Sequence, residues 1–143
     1  MSELYDDRGA PRQARIELVE SSGPVSPRFQ HQTTIVIEAG PALPPRLVRD
    51  HRDSSGERHD ERAMDRAGYE QVLGAVLAAL PLGESRDLVA GKRDRKGVSF
   101  NHVTLTLEGA ATRLDYLLTD VDEDDGDPQA RAVVGAIKAA FSA

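Results

Sequence analysis

Between Asp65 and Leu80 the chain reads DRAGYEQVLGAVLAAL, and this run limits the fold more than any other. Tyr69, Val72, Leu73, Val76, Leu77 and Leu80 recur at i, i+3, i+4, i+7, i+8 and i+11. That spacing lines one side of an α-helix with a continuous apolar stripe. Asp65 precedes the stripe and is read as the N-cap, its carboxylate accepting from N–H groups that lack helical partners. Pro81 ends the helix. Such a stripe has to be covered, and the alternating segments on either side of it supply a sheet face that can cover it.

Ala14 to Glu20 alternates as a half-buried strand, with Ala14, Ile16 and Leu18 facing one way and Arg15 and Glu17 the other. A Ser- and Pro-rich connection, Ser21 to Pro27, leads to a second strand over Phe29 to Glu38, closed by Gly40 to Pro45. Arg46–Asp53 and Arg58–Met64 flank Ser54-Ser55-Gly56 and are read as a very polar hairpin. Like charges set opposite each other destabilise a strand pair. Pairing Arg52 with Asp60, His51 with Glu61 and Asp50 with Arg62 avoids them, with a loop of about five residues.

Val98–Leu107 and Thr112–Leu118 form the most β-like pair, joined at Gly109-Ala110. A type II′ turn there sets Leu105 opposite Leu114 and Val103 opposite Tyr116. Phe100 falls on the wrong parity, which calls for a bulge near Asn101–His102 or a contact on the other face. Asp127 and Pro128 then open a second helix striped by Ala130, Val133, Val134, Ile137 and Phe141. The expected fold is α+β: one domain over 14–143, after a polar lead-in at 1–13. An antiparallel sheet of about six strands carries two helices on one face, in the order β–β–β–β–α–β–β–α.

Composition narrows the function classes. At 143 residues the chain is long enough for a real core, and its net charge of −6 argues against a general nucleic-acid binder. No cysteine is present, so disulfides, thiolate nucleophiles and Cys-ligated zinc are ruled out. The N-terminal MSELYDDRGAPRQ has no apolar core of a secretory signal, and no apolar run approaches the length of a membrane span. The expectation is a soluble, cytoplasmic protein.

Three constellations could carry chemistry. His51-x-Asp53 and His59-x-Glu61 share one hairpin face in the charge-matched register, and two imidazoles with two carboxylates would suit a divalent metal ion. The spacing matches no established zinc motif, and solvated cross-strand charge pairs explain the same residues. Lys92, Arg93, Arg95 and Lys96 form a basic loop, and Asp122, Asp124 and Asp125 belong to an acidic one. The basic loop lacks aromatics for stacking bases, and docking onto an acidic protein surface, or onto the acidic loop of another copy, suits it at least as well as phosphate; a solvated loop accounts for the same charges. The acidic loop fails the calcium pattern of an EF-hand: counted from Asp120, glycine comes seventh instead of sixth and Arg131 stands twelfth. No Gly-x-Ser-x-Gly elbow, P-loop or dinucleotide fingerprint occurs.

Ser22-Gly23-Pro24-Val25-Ser26-Pro27-Arg28-Phe29, the 46–64 hairpin, the 65–80 helix and the 98–118 strand pair together resemble a type of small bacterial α+β protein without assigned activity. The order of the second half (helix, loop, strand pair, helix) is similar to that of emfourin, an inhibitor of thermolysin-like metallopeptidases. That resemblance implies a compact non-enzymatic domain and, more distantly, peptidase inhibition, and it carries no inhibitory residue onto this chain. An inhibitor would need an exposed, rigid, extended segment, for which Pro24–Phe29 and Gly40–Pro45 are the candidates. From the residues themselves the expectation is a non-catalytic protein-interaction domain that takes another protein as partner, uses no cofactor and leaves room for a homo-oligomer. A metal-binding hairpin is the alternative.

Overall fold

The computed structural model describes residues 12–21, 31–89, 101–117, 120–121 and 126–142. Seven strands make one open sheet: β1 (Ala14–Ser21), β2 (His31–Gly40), β3 (Leu43–Asp53), β4 (Gly56–Ala63), β5 (Arg86–Asp87), β6 (Asn101–Leu107) and β7 (Ala110–Tyr116). Across the sheet they run β4-β3-β2-β1-β6-β7-β5, so β1 lies in the middle and β4 forms one edge. All neighbours are antiparallel except β5 with β7. Helices α1 (Arg66–Ala79) and α2 (Pro128–Ser142) pack against each other and against one face of the sheet.

The core forms where the predicted stripes meet. Ile16 and Leu18 of β1 stand beside Ile37 and Ile35 of β2 and beside Leu105 and Val103 of β6, and all six are at most 4% exposed. Over them lie Tyr69, Val72, Leu73, Val76 and Leu77 of α1, with Ala130, Val133, Val134 and Ile137 of α2. Burying each large side chain is worth about 1.5–3 kcal/mol. Because alternate residues point to opposite faces, the other side of the sheet carries Arg15, Glu17, Glu38, Arg46, Arg113 and Asp115, and no described helix covers it. No described helix is long and apolar enough to cross a membrane.

Both helix starts are capped as the sequence indicates. Gly68 N–H donates to the Asp65 carboxylate at 2.6 Å, and Ala130 N–H donates to Asp127 Oδ1 at 2.9 Å. Leu80 N–H closes α1 by donating to the Val76 carbonyl.

Three expectations need correction. The β6–β7 loop is Glu108-Gly109, with φ of 52° and 87°, so both loop residues are left-handed and the turn is of the I′ kind. Val103 therefore faces Leu114, and Leu105 faces Thr112. Pairing runs without a bulge from Asn101, while Phe100 lies outside the described residues. Gly40–Pro45 does not separate β2 from β3 by a long connection. Pro41-Ala42 is a tight turn, and β3 runs on through Pro44 and Pro45. Finally, the loop after α1 contains the seventh strand, β5. Arg86 and Asp87 pair with Leu114 and Asp115, and Leu88 N–H donates to the Asp115 carbonyl at 2.9 Å.

The charge at β5 ties the helix layer to the sheet edge. The Arg86 guanidinium donates to both carboxylate oxygens of Asp127, at 3.0 and 2.9 Å, and to the side-chain oxygen of Gln129. Gln129 in turn donates to the Ala79 carbonyl at the end of α1. Arg86 and the Ala130 N–H hold the Asp127 carboxyl below its ordinary value, against the opposing effect of burial. A depressed carboxyl stabilises the fold above its unfolded pKa of 3.8, and the effect is lost as pH falls through the folded value. Asp127→Asn keeps a capping oxygen and loses the ion pair, and should cost about 1 kcal/mol at neutral pH. Asp127→Ala removes the cap too, at about 1 kcal/mol more. Urea melts should show the gap between the wild type and Asp127→Asn closing as pH drops below 3.8.

Candidate functional site

The β3–β4 hairpin stands at the free edge of the sheet, and all eight residues of β4 are exposed. Its turn sets everything else about it. Asp53 pairs directly with Gly56, leaving a two-residue loop, Ser54-Ser55, and Ser55 N–H donates to Asp53 Oδ1 at 2.8 Å. This is an Asx turn, in which the aspartate side chain stands in for a backbone acceptor. Gly56 has φ of 132°, which residues with side chains rarely adopt.

From that turn the register runs Arg52 to Glu57, His51 to Arg58, Asp50 to His59, Arg49 to Asp60 and Val48 to Glu61. It differs by three residues from the register that charge complementarity alone selects. An odd slip moves side chains to the other face. His51 and Asp53 therefore share the helix side with Leu47, whereas His59 and Glu61 stand on the open side with Asp50 and Arg46. The four predicted metal ligands are split between two faces. Among the described residues no group of three or more His, Asp or Glu side chains within one chain is placed to hold a metal ion.

Each histidine has its own neighbours. On the helix side, His51 Nδ1 lies 2.7 Å from Thr33 Oγ1, and its Nε2 lies 3.1 Å from Asp53. The Ser55 N–H and His51 lower the Asp53 carboxyl below its ordinary value. On the open side, His59 Nδ1 is 2.5 Å from Asp50 Oδ1, and Nε2 is 3.6 Å from Glu61 Oε2. The hydrogen bond and charge of Asp50 raise the His59 pKa, with Glu61 adding to the effect and burial opposing it. Glu61 also accepts from Arg46 at 3.1 Å, and Arg46 bridges to Glu38 at 2.6 Å. An acid–base–acid ladder thus crosses β2, β3 and β4.

Two hollows border this edge. On the open face a polar depression of about 510 Å³ is lined by Gln32, Thr34, Asp50, Arg52, Glu57 and His59, among others. On the helix side a mainly apolar groove of about 480 Å³ runs from Met64 and Leu47 to Val72, Ala75, Ala136 and Ala140, with Arg62 and Asp65 at its rim.

His102 lies on the open face beside Asp115, with its pKa lowered by burial and then by Arg113. Burial pushes the Tyr69 hydroxyl up to about 12, and its oxygen and Asn101 Nδ2 are buried with no hydrogen-bond partner among the described residues. The Tyr69 shift runs away from the near-neutral pKa that a general base requires.

The remaining predicted residues, Lys92, Arg93, Arg95, Lys96, Asp122, Asp124 and Asp125, lie outside the described residues, as does Pro24–Phe29. Asp50 was not among the predicted site residues, because the charge-matched register assigned it to Arg62. The signal that identifies it is Asp53-Ser54-Ser55-Gly56, a sequence suited to a tight Asx turn. Comparison of the sequence with protein-family models gives no match, and comparison with curated proteins gives none either.

The His59–Asp50 pair has a direct readout. A raised imidazole pKa contributes stability that is complete below the unfolded value of 6.5 and fades as pH rises through the folded one. NMR titration of the ring protons should give a His59 midpoint above 6.5 in the wild type, moving down in Asp50→Asn. An unchanged midpoint in the variant would break the assignment of Asp50 as the principal cause.

Proposed function

We propose that this chain is a non-catalytic protein-interaction domain that takes an extended segment of another polypeptide along the outer edge of β4. The observation that supports this reading is an eight-residue edge strand, paired with β3 on one side, whose outer side no described element pairs with or covers. An exposed strand edge offers backbone groups to an added strand, while neighbouring hollows select side chains.

Hydrogen-bond parity identifies the groups on offer. Met64 N–H donates to the Pro45 carbonyl at 3.0 Å. Hydrogen-bonded pairs recur every second residue in an antiparallel ladder. Arg62, Asp60 and Arg58 therefore turn their backbone toward β3, and Ala63, Glu61, His59 and Glu57 turn theirs outward. A strand laid there would run past the apolar groove beside Met64. Specificity would come from charge, because Glu57 to Arg62 is an unbroken run of titratable side chains. Such an edge repels indiscriminate pairing, so a partner has to match its alternation.

Proline at an outward position removes one offered N–H and no bond to β3, whereas proline at an inward position breaks the hairpin itself. At a pH above the His59 titration, where the His59–Asp50 pair no longer adds stability, His59→Pro should therefore keep the melting behaviour of the wild type, and Asp60→Pro should lower it. Cross-linked capture from host lysate should yield a partner with the wild type and lose it with His59→Pro. The reading fails if His59→Pro retains the same partner, or if the wild type captures none. Peptidase inhibition is one special form of such binding, and unchanged thermolysin-like and subtilisin-like activity in excess protein would remove that form alone.

A further inference from the structure

We propose that β4 pairs with β4 of a second copy of this chain around a divalent transition-metal ion, held by His59 and Glu61 of both copies. This inference rests on the reading of the β4 edge as a docking site and names its occupant.

One chain carries half of such a site. Asp50 accepts from His59 Nδ1–H, which leaves Nε2 as the metal-binding nitrogen. Glu61 Oε2 lies 3.6 Å from that nitrogen. Two ligands of a tetrahedral zinc ion, each about 2.0–2.1 Å from the metal, stand about 3.4 Å apart. The pair needs only a small closure to share an ion. A carboxylate behind a metal-bound imidazole fixes its tautomer and raises its basicity, and Asp50 occupies that place. Arg46 holds the other oxygen of Glu61. Two donors do not complete a coordination shell, and no third comes from the described residues of the same chain.

A second copy supplies the missing half, and parity restricts how it arrives. Only the odd-numbered residues of β4 turn their backbone outward, so antiparallel self-pairing has to match odd with odd. In one permitted register His59 faces His59 of the second copy, Arg58 faces Asp60 twice, and Glu57 faces Glu61 twice. Shifting by two residues puts Arg58 opposite Arg62 twice and Asp60 opposite Asp60. Each sets like charges together, in the first register the Glu57–Glu61 pairs on the open face, which weakens the pairing of bare edges. In the first register the two-fold axis is normal to the sheet and brings both open faces to the same side. Two imidazoles then sit among six carboxylates, those of Asp50, Glu57 and Glu61 of each copy, where a divalent cation supplies positive charge. Imidazole with carboxylate suits zinc and its neighbours better than calcium or magnesium.

The test is the mass of the untagged full chain by light scattering, in EDTA and then with zinc alone or magnesium alone. The expected result is a single chain in EDTA and in magnesium, and a doubled mass in zinc with one ion per two chains. His59→Ala and Glu61→Gln should stay single in zinc, and Asp50→Asn should need about 10–100-fold more metal. An unchanged wild-type mass in zinc, a dimer already present in EDTA, or a zinc dimer that survives His59→Ala would each overturn the proposal. If zinc leaves the chain single while His59→Pro still abolishes lysate capture, this inference falls and the docking role of the edge stands. Loss of both results removes the edge reading as well.

Discussion

Everything in this molecule depends on two apolar helix stripes being buried on one face of a sheet with β1 at its centre. Ile16 and Leu18 are flanked by strands on both sides and roofed by helices, so they are the least able of any residues to move independently. That layer fixes the face of every strand, because side chains alternate and one wrong parity would put charge into the core. The opposite face is left to ion pairs such as Arg46 with Glu38 and Arg113 with Asp115, which hold little energy individually and keep that side polar.

The helices stop short of the far edge. Leu47 is buried under them, yet Glu57 to Arg62 of β4 and the end of β3 carry polar side chains, and the hairpin tip lies beyond the packed layer. What orders this arm is local: the Asx turn at Asp53, the cross-strand ladder and the Met64 to Pro45 hydrogen bond. An arm held by backbone pairing, with its outer edge unpaired among the described residues and two hollows beside it, is what the proposed docking rests on. The opposite edge is closed differently. There β5 is only two residues long, and Arg86 clamps it to the start of α2.

The core was legible in the sequence because its signals are periodic and redundant. The α1 stripe, the Asp65 and Asp127 caps and the alternation of β1 each lead to the same arrangement. The β6–β7 register differs by two residues from the one expected, yet its faces are right, since an even slip preserves them. The β3–β4 register differs by three, and its faces are exchanged. Charge complementarity could not decide between these hairpin registers, because a strand with both signs at nearly every position pairs acceptably in several. The turn decided it. β5 left no readable trace, for two residues show no period, and its parallel pairing arises from the loop's path across β7.

The central claim is that β4 turns alternate backbone groups outward, with its inward groups fixed by the register that starts at Asp53. Amide hydrogen exchange resolved by residue measures this directly in the isolated chain. The account predicts slow exchange at Arg58, Asp60 and Arg62, and fast exchange at Glu57, His59, Glu61 and Ala63. Uniform protection along β4, or the opposite alternation, would contradict it.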